Sequence, residues 1–179
     1  MSGIRSRPSW DEYFLILAKL AAIRSTCIAR QVGAVIVKDR QVLATGYNGP
    51  PSGLAHCTDQ GYCYPDLADC EQSDAKPSRA IHAEANAIAQ AARHGIPTEN
   101  ASIYVTLEPC LSCLKLIISA GISQVYYETS FRKTENQPLR DDFIAQGLVT
   151  LKQIALSPES AAMSASIFLE ALPASNESN

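Results

Sequence analysis

The stretch HAEANAIAQAARHGIPTENASIYVTLEPCLSCLKLIISAG, residues 82–121, decides how this chain is built. Its first part, 82–95, is alanine-rich and closes on Gly95, the pattern of a strongly propensed helix with glycine just past its end. SIYVTL at 102–107 is a short apolar strand. CLSCLKLIISAG at 110–121 reads as a second helix, with Pro109 suited to its first turn and Gly121 ending it. SQVYYE at 123–128 is a second strand. Strand and helix alternate, which calls for parallel pairing with helices covering the sheet. The fold class is α/β.

Upstream, SWDEYFLILAKLAAIR (9–24) has helical spacing of Trp10, Tyr13, Phe14, Leu17, Leu20 and Ala21, and Ser9 with Glu12 fits a capping box. VGAVIVK (32–38) and QVLATGYN (41–48), split by Asp39-Arg40, predict a hairpin. From Gly49 to Arg79 no period is visible. A loop of that length in a compact domain needs something to order it, and it holds His56, Cys57, Cys63 and Cys70. Downstream, 138–147 reads as a helix, LVTLKQI (148–154) as a last strand and 158–172 as a final helix. The polar tail 173–179 is expected to be disordered. The reading is one domain over 1–172, with 49–80 as a metal-stapled loop insertion.

The 179 residues are 46% hydrophobic with a net charge of −3. No basic stripe marks a stable nucleic-acid partner, and no run is long enough for a membrane span. With no signal-peptide pattern at the N-terminus, the expected location is the cytoplasm. Cytosolic thiols stay reduced, so six cysteines point to metal or catalysis ahead of disulfides.

Cys110 and Cys113, three apart in the first turn of a helix, can face one metal, and the helix N-terminus favours their thiolates. A catalytic zinc keeps three protein ligands and leaves a position for water. His82 supplies the third. Residues two apart on a regular helix do not share a face. His82 is therefore expected at the edge of its helix, reaching the metal, while Glu84 points into the neighbouring space as a proton carrier rather than a ligand. Alone, a C-x-x-C pair fits a redox couple or a structural metal knot, and an H-x-E carries nothing. The two together, each on its own helix with a strand between, are specific.

HAE at 82–84 with PCLSC at 109–113 matches the signature of zinc-dependent nucleobase deaminases. The chain resembles the cytidine-deaminase-like superfamily, and within it the deoxycytidylate (dCMP) deaminases, from about residue 10 to 132. RQVGAVIVKD (30–39), ATGYNGPPSG (44–53), HAEANAI (82–88) and YVTLEPCLSCLKLIISAGI (104–122) carry the resemblance. It implies a three-layer α/β/α sandwich around a five-stranded mixed sheet, deamination of dCMP to dUMP, activation by dCTP, inhibition by dTTP with magnesium on the phosphates, and a homohexamer. It places Asn48 on the substrate sugar, substrate contacts at Ala83 and Asn86, and the triphosphate effector at Gly46, Tyr47, Asn48 and Gly49. Family members usually carry a tyrosine after the fourth strand that helps hold the substrate phosphate. Phe131 stands there in this chain, and a phenylalanine cannot donate. Arg132, the next residue, is the expected substitute as a bidentate phosphate partner.

Some of the dCMP deaminases this chain resembles also hold a second, structural zinc. Cys27 and Cys57 match two of those ligand positions. Cys63 and Cys70 are the expected completion of a four-cysteine site, with His56 in reserve. Three other readings stand beside this one: a tRNA adenosine deaminase, for which TLEPC (106–110) is equally typical; a deaminase of another cytosine nucleotide or nucleoside; and a non-catalytic zinc-stabilised binding module of the same fold.

Overall fold

The computed structural model describes residues 7–61, 63, 79–131 and 137–170. Helix α1 (Trp10–Ala22) begins at a complete capping box: the Glu12 N–H donates to Ser9 Oγ, and the Ser9 N–H donates to the Glu12 carboxylate at 2.8 Å. Strands β1 (Gly33–Lys38) and β2 (Gln41–Tyr47) form the expected hairpin. Its two turn residues, Asp39 and Arg40, both have positive φ, as the tightest hairpin turn requires. The Arg40 guanidinium lies over the Trp10 ring, 5.3 Å from its centroid.

A four-residue helix, α2 (Cys57–Gln60), breaks the segment the sequence left without structure. Then come α3 (Ala83–Arg93), β3 (Ser102–Leu107), α4 (Leu111–Ser119), β4 (Gln124–Thr129), α5 (Gln137–Ala145), β5 (Thr150–Gln153) and α6 (Pro158–Glu170). The sheet order is β2-β1-β3-β4-β5, with β1 antiparallel to both neighbours and β3, β4 and β5 parallel. The expected five-stranded mixed sheet is the one observed.

Alternation along the central strands builds two cores. Ala34, Ile36, Ile103, Val105 and Val125 face one way and pack with Ala83 and Ala87 of α3 and Leu114 and Ile117 of α4. Val35, Val37 and Tyr104 face the other way, against Phe14 and Ala18 of α1. A strand buried on both faces must be apolar at every position, and GAVIV is. Two glycines let the helices close on the sheet. A Cβ on Gly33 would meet the Ala18 carbonyl oxygen at 2.0 Å, and one on Gly46 would meet the Ala83 carbonyl oxygen at 2.2 Å. On the α1 face, Tyr104 stacks on Tyr126 with centroids 4.6 Å apart and donates its hydroxyl to Asp11.

Cys70, Arg132 and the 173–179 tail lie outside the described residues. Among the described residues no helix is long and apolar enough to cross a membrane.

Candidate active site

Two helices begin at the same place. His82 is the N-cap of α3 and Cys110 the N-cap of α4, both in extended backbone. Cys110 thus sits one step outside the helix expected to contain it, and Cys113 lies in the first turn. His82 Nδ1 is 3.5 Å from Cys110 Sγ and 3.3 Å from Cys113 Sγ, and the three ligand atoms lie within 4.8 Å of one another. A tetrahedral zinc with Zn–N of ~2.0–2.1 Å and Zn–S of ~2.3 Å would set N···S separations of about 3.6 Å. One imidazole and two sulfurs converging at this spacing fit zinc, with the fourth position left open.

His82 is brought there by backbone. Ile81 exchanges two hydrogen bonds with Gly49, of 2.8 and 3.2 Å, which fixes the residue before the histidine against the end of β2. Asn86 adds a second tie, donating Nδ2–H to the Tyr47 carbonyl oxygen at 2.7 Å.

A hydrogen bond links the two sulfurs. The hydrogen bond from the Cys113 thiol holds Cys110 well below the usual thiol range, and the same bond pushes Cys113 up. The hydrogen bond to Cys110 raises His82. Both helix N-termini add positive potential at this point, so negative charge is at home here before any ion arrives.

Glu84 is 4% exposed, and burial pushes its carboxyl up to about 7. It shares a cavity of about 210 Å³ with Arg30, Val32, Asn48, His82, Ala83, Leu107, Glu108, Cys110 and Phe131. The cavity lies beyond the C-terminal end of β3, where ligand crevices of open α/β sheets form.

Of the residues expected at the substrate, Asn48, Ala83 and Phe131 line this cavity, and Asn86 does not. Asn48 is largely committed to the protein. Its Oδ1 accepts from Ser25 Oγ at 2.6 Å and the Val32 N–H at 2.8 Å, and its Nδ2 donates to the Arg30 carbonyl oxygen at 2.8 Å. One Nδ2 hydrogen is left for a ligand. Of the expected effector stretch, Gly46 lies beneath α3, Gly49 pairs with Ile81, and the Tyr47 side chain is exposed.

Cys57 is fully buried, its thiol hydrogen-bonded with Cys63 and in the field of Cys27, and burial raises it. The Thr58 N–H donates to the Thr26 carbonyl oxygen, so α2 docks beside Cys27. His56 caps α2 and is exposed. Three of the four cysteines expected together are therefore neighbours.

Two charged cavity residues, Glu108 and Arg30, have no counterpart in the expected site. Glu108 is 6% exposed, pairs with Arg140 of α5, and accepts the Phe131 N–H at 2.8 Å. Arg30 is exposed at the cavity wall. An acid wedged between an apolar strand and Pro109 was the available signal for Glu108. Arg30 had none of its own, since a cation in a polar loop is ordinarily solvated.

Residues 8–129 match the family described as the cytidine and deoxycytidylate deaminase zinc-binding region. The chain is 43% identical over 150 residues to ComE operon protein 2 of Bacillus subtilis, covering 84% of this chain and 74% of that one. It is 47% identical over 126 residues to the deoxycytidylate deaminase of Mycobacterium phage D29, covering 68% of this chain and 96% of the relative. The dCMP deaminase of cyanophage S-TIM5, solved in complex with dCMP and dUMP, superposes with a TM-score of 0.66 at 28% identity, over 83% of this chain and 99% of the phage protein.

Proposed function

The chain belongs to the cytidine and deoxycytidylate deaminase family, and from that premise we propose that it hydrolyses dCMP to dUMP and ammonia at a zinc held by His82, Cys110 and Cys113. The observation that carries the reading is the buried Glu84 carboxyl in one cavity with His82 and Cys110, two of the three convergent zinc donors. A site built only to hold structure has no use for a buried acid beside an open coordination position, which argues against a non-catalytic module.

Zinc, when bound, lowers the pKa of a coordinated water from about 15.7 to about 7 and so supplies the nucleophile. Glu84 does the proton work. Its carboxylate takes the proton from the attacking water and delivers it to N3 of the cytosine ring. It then moves the second proton, from the new C4 hydroxyl, to the amino group, which leaves as ammonia as the C4 carbonyl forms and the C4–N bond breaks. A carboxyl raised to about 7 by burial can act as base and then as acid near neutral pH. Ala83 and Val32 wall the ring, and Asn48 offers its remaining amide hydrogen to the sugar. Phe131, anchored through its N–H by Glu108, closes one side.

The finer reading has dCTP activation and dTTP inhibition, with magnesium on the triphosphate, acting at Tyr47, Asn48 and Gly49. Gly46 serves there as the seat of α3. It also has a homohexamer working in the cytoplasm, and a second zinc on Cys27, Cys57, Cys63 and Cys70. The adjacency of the first three cysteines supports that metal.

Ammonia release with dCMP, CMP, deoxycytidine, dCTP and a tRNA anticodon arm, each with and without dCTP and magnesium, tests the assignment. Turnover of dCMP above all others supports it. Turnover of the tRNA arm alone overturns it.

A further inference from the structure

We infer that Glu108 is a positioning residue for the reaction: its carboxylate seats Phe131 in the cavity wall, and Arg140 of α5 holds that carboxylate in place. This rests on the deaminase reading and adds to it the group that shapes one side of the cavity.

Four apolar residues line the cavity. Val32, Ala83 and Leu107 are set by the core they pack in. Phe131 lies past the end of β4, which stops at Thr129. The last register pair between β3 and β4 joins Leu107 to Thr129. Glu108, the next residue, carries the pairing on in two steps. Its N–H donates to the Thr129 carbonyl oxygen at 2.8 Å, and its Oε2 accepts the Phe131 N–H at 2.8 Å. The carboxylate thus stands in for a backbone carbonyl where the ladder runs out.

A carboxylate only 6% exposed needs a partner for its charge. Oε1 has one in Arg140. No residue of α5 is fully buried; Phe143 and Ile144 pack its C-terminal half on the core, and Arg140 ties its N-terminal half to Glu108. Pro109 and Cys110 follow Glu108, and Cys110 is a zinc donor at the start of α4. The anchor of Phe131 and a metal ligand therefore share one turn, stiffened by the fixed φ of proline. A shift of Phe131 relative to Glu108 is a shift relative to the metal site.

Charge and anchoring can be separated in an R140M background, where a neutral residue 108 leaves no buried charge alone. R140M also removes an Nε–H that is buried without a partner among the described residues. E108Q/R140M keeps an oxygen able to accept the Phe131 N–H. E108L/R140M has a similar volume and no acceptor. At equal zinc content, E108L/R140M should show a kcat/KM for dCMP roughly 10- to 100-fold below that of E108Q/R140M, the scale on which a displaced wall is felt in catalysis. Adding F131A to both removes the ring through which residue 108 acts, and the gap should shrink to about twofold or less. A gap that persists without the ring would make Glu108 a general support of the turn, and no gap with the ring present would mean that Phe131 is seated by other contacts; either overturns the inference. A wild type that ignores dCMP fails the functional reading instead. Hydrogen exchange at the Phe131 amide of the zinc-loaded proteins then still decides. Protection in wild type and E108Q/R140M that is lost in E108L/R140M is the expected result, and equal exchange in the two double variants overturns the inference.

Discussion

Glu108 and Arg140 form an ion pair at the wall of the reaction cavity, with the two side chains 5% and 18% exposed, and the second oxygen of Glu108 holds the Phe131 N–H. The pair joins the turn before Cys110 to α5 and to the residue that closes the cavity. Removing one partner leaves a buried charge alone, a loss of about 3–5 kcal/mol, whereas removing both charges together costs much less. R140M should therefore lower the melting temperature by roughly 6–20 °C, and E108Q/R140M should return most of it. Calorimetry of the four proteins in the cycle checks this. A double variant as unstable as R140M would show that packing by the arginine stem, not its charge, holds α5.

In the proposed mechanism Glu84 carries protons and is not a metal ligand, so chemistry and metal binding should separate at this residue. E84Q keeps the shape and burial of the side chain and removes its basicity. It should lower kcat by about 10²–10⁴-fold or more, since one group serves two proton transfers. Zinc content by atomic absorption should stay at the wild-type level. C113S, by contrast, should lose zinc and activity together. Zinc lost from E84Q to the same degree would put the carboxylate among the ligands and sink the assignment.

The chemistry was legible because it depends on local strings. H-A-E and P-C-L-S-C each straddle a helix start, and their spacing and punctuation can be read without the fold. The sheet was legible for a related reason: Gly33 to Val37 and Ser102 to Leu107 are short runs with the composition of buried strands. The Glu108–Arg140 pair was not, because it joins residues far apart in the chain through a turn and a helix with no shared pattern. Asn48 shows a different limit. Its resemblance-based role is to touch a ligand, and its position in the cavity agrees, but three of its side-chain contacts staple residues 25–32. Nothing in GYNG announces that partner loop.

Gly46 separates a packing role from a ligand role. Its missing side chain lets α3 settle on β2; a Cβ there would lie 2.2 Å from the Ala83 carbonyl oxygen and 2.5 Å from the Ala87 nitrogen. Backbone atoms of a helix cannot give way singly, so G46A must push the whole N-terminal turn of α3, with His82 and Glu84. The expected result is a loss of about 1–3 kcal/mol or more, together with weaker zinc retention against a chelator and lower kcat without any effector. If G46A had normal stability and basal turnover but no response to dCTP, the glycine would belong to an effector site and not to the helix seat.

Glu12 couples the two helices on the far face of the sheet, and its charge state should be visible in acid. One carboxylate oxygen accepts the Ser157 N–H at 3.0 Å and the Ser157 hydroxyl at 2.6 Å; the other accepts the Ser9 N–H and hydroxyl, both at 2.8 Å. Ser157 in turn accepts the Ser160 N–H, capping α6 while it is held by α1. These bonds, the Ser157 hydroxyl first, keep the Glu12 carboxyl well below the usual carboxylate range. A carboxyl depressed in the folded state binds fewer protons there than in the unfolded chain, so stability rises with pH. Its contribution is complete above the unfolded value of about 4.3 and drains away as pH falls from there toward the folded value. E12Q should therefore be less stable than wild type at pH 6, and the gap should shrink steadily between about pH 4 and pH 2.5. S157A, which removes both the hydroxyl donor and the α6 cap, should cost about 1 kcal/mol at pH 6. Urea midpoints at a series of pH values supply the comparison. Wild-type and E12Q curves running parallel into acid would mean that Glu12 keeps its proton balance on unfolding and that the tie between α1 and α6 is not electrostatic.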